Sequence, residues 1–261
     1  MKKILISLIA ILMIYLFFVK NPVETDMEIS LVDSNITMGD LVLVNREFAI
    51  QKDPLYLTEI PTKLHENVQV NSRFLVQQQM VEPLKQMFTA ANTDGVSHFI
   101  INSAYRSGKL QQQMFDKHGA EFALPRGHSE HQTGLSIDIG STQGKMDNTL
   151  EGKWLEENAA RFGFVLRYPA NKVDITQIGY EPWHFRYVGL PHSLIMQDEQ
   201  IVLEEYIELL QRKKLIEKTV NNTNYIVQYT KNEDIAYIPE TAHYTISGDN
   251  IGGFIITSIV P

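Results

Sequence analysis

The stretch Ser129-Glu-His131-Gln-Thr-Gly134-Leu-Ser-Ile-Asp138 restricts the fold more than any other part of this chain. From Leu135 to Ile139 apolar and polar residues alternate, the period-two pattern of a strand with one covered face. Leu135, Ile137 and Ile139 fall on one face, and Ser136 and Asp138 on the other. A carboxylate therefore points away from the core that the strand helps to build. Gly134 suits a tight bend just before the strand. His131 and Asp138, seven residues apart, can then meet across that bend. An imidazole nitrogen and a carboxylate oxygen are both donors that zinc accepts. Further on, Glu181-Pro-Trp-His184 adds a second histidine and a spare glutamate. Two histidines and one aspartate leave one position of a tetrahedral ion open, as catalytic rather than structural zinc sites do. Glu181, three residues before His184, is placed to act as a base on water at that position. Taken singly, His131 reads as a surface residue and Asp138 as a strand-end carboxylate. The Glu181/His184 group shifts that balance.

Composition narrows the remaining classes. The 261 residues carry a formal charge of −8 and no Lys/Arg cluster, which argues against nucleic acid as a partner. There is no cysteine, so disulfides, a thiol nucleophile, cysteine-ligated zinc and a lipid-modified N-terminal cysteine are all excluded. Lys2 and Lys3 precede an apolar run over residues 4–19 broken only by Ser7, and no small-x-small cleavage pattern follows. Residues 1–20 are expected to be an uncleaved signal anchor or transmembrane segment with the lysines inside. An ordinary cleaved signal peptide is the alternative. Both put the catalytic part outside the cytoplasm. Residues 21–40, polar and acidic, read as a tether.

The folded part is expected to open with a strand over residues 41–44. Val76, Met80, Leu84, Met87, Phe88 and Ala91 recur at helical spacing, with Pro83 either kinking that helix or starting a second one. Asp94-Gly95 ends it. Residues 99–101 read as a buried strand, 110–117 as a helix stopped by Gly119, 154–162 as an amphipathic helix closed by Gly163, and 164–166 and 183–188 as strands. Residues 199–218 read as one or two charged helices. Three short strands are expected after residue 219, in a small C-terminal β appendage.

The order Ser-x-His-x-x-Gly-x-x-x-Asp then Glu-x-Trp-His resembles the zinc D-Ala-D-Ala carboxypeptidases of the VanY type. The resemblance runs from about residue 40 to about residue 206. It includes Ser103-Ala-Tyr-Arg106-Ser and Arg161-Phe-Gly-Phe-Val-Leu-Arg-Tyr-Pro169. Ala104 and Ser136 stand where the family usually has other small residues. The resemblance implies an α+β fold of the Hedgehog/D,D-peptidase kind, with a central antiparallel sheet and helices packed on it. It implies a carboxypeptidase domain over residues 41–206, followed by a helix and the β appendage over 207–261. It implies Zn2+ held by His131, Asp138 and His184, with Glu181 as the base and Arg106 in the active site. Arg106 would clamp a carboxylate or stabilise an oxyanion. Gln111 and Ser129 look like donors to a substrate carboxylate. Trp183, on the opposite strand face from His184, is expected to pack rather than touch substrate. His128 reads as a loop residue.

The implied reaction is hydrolysis of the terminal D-Ala-D-Ala bond of peptidoglycan stem peptides or their lipid-linked precursors. An L,D-carboxypeptidase acting on tetrapeptide stems, or a zinc-stabilised module without catalysis, are the alternatives. His-Glu-x-x-His, Ser-x-x-Lys and Gly-x-Ser-x-Gly are all missing, which disfavours a serine mechanism.

Overall fold

The computed structural model describes residues 25, 27–119, 123–231, 233–240 and 243–260. The expected signal anchor lies outside them. Among the described residues no helix is long and apolar enough to cross a membrane. The strands are β1 (Met27–Ser30), β2 (Leu57–Glu59), β3 (Val68–Gln69), β4 (Leu75–Gln77), β5 (Phe99–Ser103), β6 (Ser136–Ser141), β7 (Phe164–Leu166), β8 (His184–Tyr187), β9 (Leu215–Val220), β10 (Thr223–Thr230), β11 (Ile235–Ile238), β12 (His243–Gly248) and β13 (Phe254–Val260). The helices are α1 (Val81–Thr93), α2 (Gly108–His118), α3 (Leu150–Asn158), α4 (Val173–Thr176), α5 (His192–Glu199) and α6 (Leu203–Lys213).

A five-stranded sheet, β3-β5-β6-β8-β7, carries the site. It is antiparallel apart from the β3–β5 edge pair. Its alternation works as the composition of β6 demands. Ile137, Ile139, Phe99, Ile101 and Phe185 enter one core with Leu84, Met87 and Phe88 of α1 and Leu155 of α3. Burying each such side chain contributes about 1.5–3 kcal/mol. Trp154 adds a polar tie, donating from Nε1 to Asp94 Oδ2 at 2.8 Å, which joins α3 to the end of α1. The α+β architecture with a central, largely antiparallel sheet is thus as the resemblance implied.

Helix boundaries follow backbone chemistry. Pro83 is the third residue of α1, in the first turn, where a missing N–H leaves no intrahelical bond unmade. Val76 belongs to β4 instead of the helix. Gly95, at φ +77°, takes the chain out of α1. Ser107 and Thr149 cap α2 and α3, accepting from the backbone N–H of Leu110 and Gly152.

Four expectations are corrected. Residues 41–44 are buried but join no ladder; Leu41 N donates to Ser247 Oγ and Leu43 N to Asp249 O. The described part of the expected tether is folded, because β1 pairs with β11 and Ile29 and Leu31 are buried beside Ile238, Phe254 and Ile256. Residues 215–218 are strand, since Lys214 at φ +63° ends α6 and sends the chain into the β9–β10 hairpin. The C-terminal strands are also no loose appendage. Four of them form the sheet β12-β13-β10-β9. Val227, Tyr229 and Ile255 of that sheet share a core with α5, α6, Val165, Val188, Leu41 and Leu43.

Candidate metal centre

Register brings the first two donors together. Asp138 on β6 stands directly opposite His184 on β8, which sets their side chains side by side. His131 arrives from a short 3-10 turn, Glu130–Thr133, that ends on Gly134 at φ +72°. That left-handed φ favours glycine, and a Cβ there would also press on the Leu57 side chain, 2.6 Å from its Cδ2. One donor atom from each of His131, Asp138 and His184 lies within 4.8 Å of the other two. His131 Nε2 is 3.3 Å from Asp138 Oδ2, and His184 Nδ1 is 3.1 Å from Asp138 Oδ1.

Behind each ring an acceptor faces the far nitrogen, within hydrogen-bond reach for His131 and farther off for His184. His131 Nδ1 is 2.7 Å from Ala104 O. A carbonyl only accepts, so that nitrogen carries the proton and Nε2 turns its lone pair to the site. His184 Nε2 faces Glu130 Oε2 at 3.5 Å, which leaves Nδ1 as its donor. Asp138 Oδ1 is buried and accepts no hydrogen bond. Asp138 thus turns Oδ2 to His131 Nε2 and the unsatisfied Oδ1 to His184 Nδ1, and two imidazole nitrogens converging on one buried carboxylate are a donor set that a divalent cation would satisfy. The residues therefore fit zinc.

Electrostatics follow the same layout. Burial pushes the Asp138 carboxyl up, but the His131 and His184 rings beside it outweigh burial and hold it well below the usual range. Burial lowers His131. Burial also pulls on His184, yet the carboxylates of Asp138 and Glu130 beside it raise it to about 9. Glu181 Oε2 is 3.7 Å from His184 Nδ1, on the open side of the ring. Burial raises its carboxyl, partly offset by His184.

Arg106 enters the same cleft from the loop between β5 and α2, its backbone N–H bonded to His131 O. A register shift between Ile101 and Ser103 re-aims Ser103, whose Oγ accepts from Arg106 Nη2 at 3.2 Å. Gln111 Oε1 accepts from Arg106 Nη1 at 2.7 Å, and Gln111 Nε2 donates to Leu124 O at 2.6 Å. Gln111 thus braces the guanidinium from within the cleft lining. Ser129 is buried and lines the cleft with the metal donors. The cleft has a volume of about 410 Å3. Trp183 also lines it and is 41% exposed, so it is part of the wall and not core packing as expected.

The sequence reading missed the group behind His184. Glu130 is fully buried. Its Oε1 accepts from Arg167 Nε and Arg186 Nη1, both at 2.9 Å, and its Oε2 from Ser136 Oγ. Arg167 continues to Glu204 with a two-pronged pair at 2.8 and 2.7 Å, and Arg186 Nη2 reaches Asp40 O and Val42 O. Burial opposes the charge on Glu130, but Arg167 and Arg186 hold its carboxyl well below the usual range. The Tyr168 ring packs 4.9 Å from that of His184. A signal was present: Arg186 alternates in phase with His184, and Glu130 lies inside the motif.

The D-alanyl-D-alanine carboxypeptidase family, VanY, matches residues 73–190, which include all three metal donors, Arg106 and Glu181. A D-alanyl-D-alanine carboxypeptidase of Enterococcus faecium is 40% identical over 242 residues, covering 90% of this chain and 80% of that protein. This chain therefore belongs to the VanY family of D-alanyl-D-alanine carboxypeptidases. Among solved structures it is similar to the vancomycin-resistance D,D-dipeptidase VanXYg in complex with a D-Ala-D-Ala phosphinate analogue. That similarity has a TM-score of 0.76 and 30% identity, over 90% of this chain and 99% of that one. So long a match extends beyond residues 73–190 into the C-terminal strands. It is also similar to the LD-carboxypeptidase LdcB, with a TM-score of 0.59 and 34% identity over 71% of this chain and 94% of that one.

Proposed function

We propose that this protein is a zinc-dependent D,D-carboxypeptidase that removes the last D-alanine from peptidoglycan stem peptides ending in D-Ala-D-Ala. The observation that carries the reading is one cleft holding two oriented imidazole rings, the unsatisfied Asp138 Oδ1, the carboxylate of Glu181 and the guanidinium of Arg106. His131 Nε2, Asp138 and His184 Nδ1 would hold the ion. When bound, zinc would supply a Lewis acid that polarises the scissile carbonyl and acidifies water.

Glu181 takes the proton from the attacking water and delivers it to the leaving amine nitrogen. Arg106, braced by Gln111 and Ser103, places fixed positive charge beside the carbonyl oxygen or the terminal carboxylate. Ser129 offers its hydroxyl to that carboxylate. No side chain need form a covalent intermediate. The apolar run behind Lys2 and Lys3 supports a membrane-tethered enzyme working outside the cytoplasm, where stem peptides and lipid-linked precursors would meet it.

The likeness to LdcB favours a second reading, an L,D-carboxypeptidase with the same donors and base. One experiment separates them. The purified protein, its zinc content measured, is incubated with pentapeptide and tetrapeptide stems, and the products are weighed by mass spectrometry. Loss of one alanine from pentapeptide supports the D,D reading. Trimming of tetrapeptide with pentapeptide intact replaces it with the L,D reading. Inertness toward both leaves a binding module.

A further inference from the structure

The cleft has a floor and a mouth, and the mouth carries a cation that the reading above does not use. His131, His184, Gln111 and Ser129 are buried at the floor, whereas Arg46, Tyr180 and Trp183 line the same cleft and are exposed. Arg46 lies outside the stretch that the family match covers. Its Nε donates to Gln177 O at 3.1 Å, and its two terminal nitrogens make no bond to the described residues.

The loop that carries Arg46 is fastened at many points. Asn45 Oδ1 accepts from the N–H groups of Glu47 and Phe48, and Asn45 Nδ2 donates to Glu204. His128 Nδ1 donates to Asn45 O at 2.8 Å, and Ile50 N to Gly127 O. From the C-terminal sheet, Asn250 Nδ2 donates to both Leu43 O at 2.8 Å and Ala49 O at 3.0 Å. A guanidinium seated on so fixed a loop loses little freedom on binding.

Substrate polarity decides what it meets. The terminal carboxylate lies one residue past the scissile bond, about 3.8 Å between Cα atoms, so it must reach the floor beside the metal donors. The acyl part of the peptide leaves through the mouth. A free guanidinium edge presents two parallel N–H groups that match a carboxylate. We infer that Arg46 is a specificity-determining residue that binds a carboxylate carried by the substrate upstream of the cleaved bond, and that the C-terminal sheet positions it through Asn250. This rests on the carboxypeptidase reading and extends it to the acyl side of the substrate.

The test uses the full-length, zinc-loaded protein and synthetic peptides ending in D-Ala-D-Ala. They carry glutamate or glutamine at either of the two positions preceding the alanine pair. The parent should prefer glutamate at one of those positions. In Arg46→Gln the ratio of kcat/KM for glutamate over glutamine should fall about tenfold there, through KM, as expected for loss of one charge-assisted contact. Arg46→Glu should invert the preference. Asn250→Gly keeps the left-handed backbone (φ +63°) but removes both side-chain bonds. It should lower the same ratio, and add nothing in the Arg46→Gln background. An unchanged ratio at both positions, or equal losses on both peptides of each pair, overturns the role of Arg46. A parent that cleaves none of the peptides overturns the carboxypeptidase reading instead.

Discussion

The two sides of the His184 ring are built to opposite rules. Behind it, every charge is answered. Glu130 meets Arg167 and Arg186, and Arg167 meets Glu204, with the side chains of Glu130, Arg167 and Arg186 wholly buried. In front, charges are left open. Asp138 Oδ1 accepts no hydrogen bond, and Glu181 has no cation within 4.0 Å among the described residues except the His184 ring itself. Arg106 spends its side-chain bonds on neutral partners, Gln111 and Ser103. A closed network of buried charges holds shape, because removing one member strands the others. An open set costs stability and is kept where a cation and a substrate complete it. The contrast separates the two glutamates beside one histidine: Glu130 is locked into a buried ion network, whereas Glu181 faces the cleft.

The sharpest way to break the comparison is to neutralise each glutamate. Glu181→Gln should lower kcat about a thousandfold, about 4 kcal/mol, while zinc content and thermal midpoint stay near those of the parent. Loss of zinc or of fold would place Glu181 with the structural side. Glu130→Gln should do the reverse. With buried Arg186 left without an anion and Arg167 left with Glu204 alone, unfolding free energy in denaturant should fall by about 3 kcal/mol. With His184 less firmly held, zinc affinity should drop about tenfold or more. A Glu130→Gln protein as stable as the parent would show that the network behind the ring does not hold the site.

A third prediction extends the contrast to pH. His192 is buried at the second core, bonded to Tyr206 through Nδ1 at 2.7 Å and to Thr257 through Nε2 at 3.0 Å. Burial pushes its pKa down from 6.5 to about 3. The folded state therefore holds it neutral while the unfolded chain takes up a proton below 6.5. Its contribution is intact above that value and declines as pH falls toward 3, by about 2 kcal/mol at pH 5. Thermal melts from pH 7.5 to 5 should fall more steeply for the parent than for His192→Gln. Equal slopes would mean that acid acts elsewhere.

The smallest effect serves as a control. Thr149→Ala removes the cap of α3, far from either side of the ring, and should cost about 1 kcal/mol with kcat unchanged. A matching loss of activity would show that stability and chemistry are not separable in this fold.

Legibility in the sequence tracked the range of the forces involved. The β6 alternation, the Gly134 bend and the ends of α1 and α2 were readable, because each depends on neighbours within one or two turns of chain. The tether reading failed at β1, whose partner β11 is some two hundred residues away and whose apolar residues are too few to signal burial. Residues 215–218 deceived by their charges, since a strand with one exposed face tolerates Glu217 and Lys218 as readily as a helix does. Gln111 lines the cleft as the motif suggested, but its bond to Arg106 was not legible, because the guanidinium comes from an adjacent loop and the acceptor for its amide is Leu124 O.

By itself the sequence pointed to His131, Asp138 and His184 as a candidate donor set, to Glu181 beside them and to the strand that carries Asp138. These are set by residue chemistry and by short-range backbone periodicity. Only the tertiary structure decided that Asp138 faces His184 across the sheet, that Glu130 is neutralised while Glu181 is not, and that the C-terminal sheet seats Arg46 at the mouth of the cleft. The physical reason is that the state of a charge depends on what surrounds it after desolvation. Those surroundings, Arg167, Arg186 and Asn250, come from segments that only the packed fold brings together.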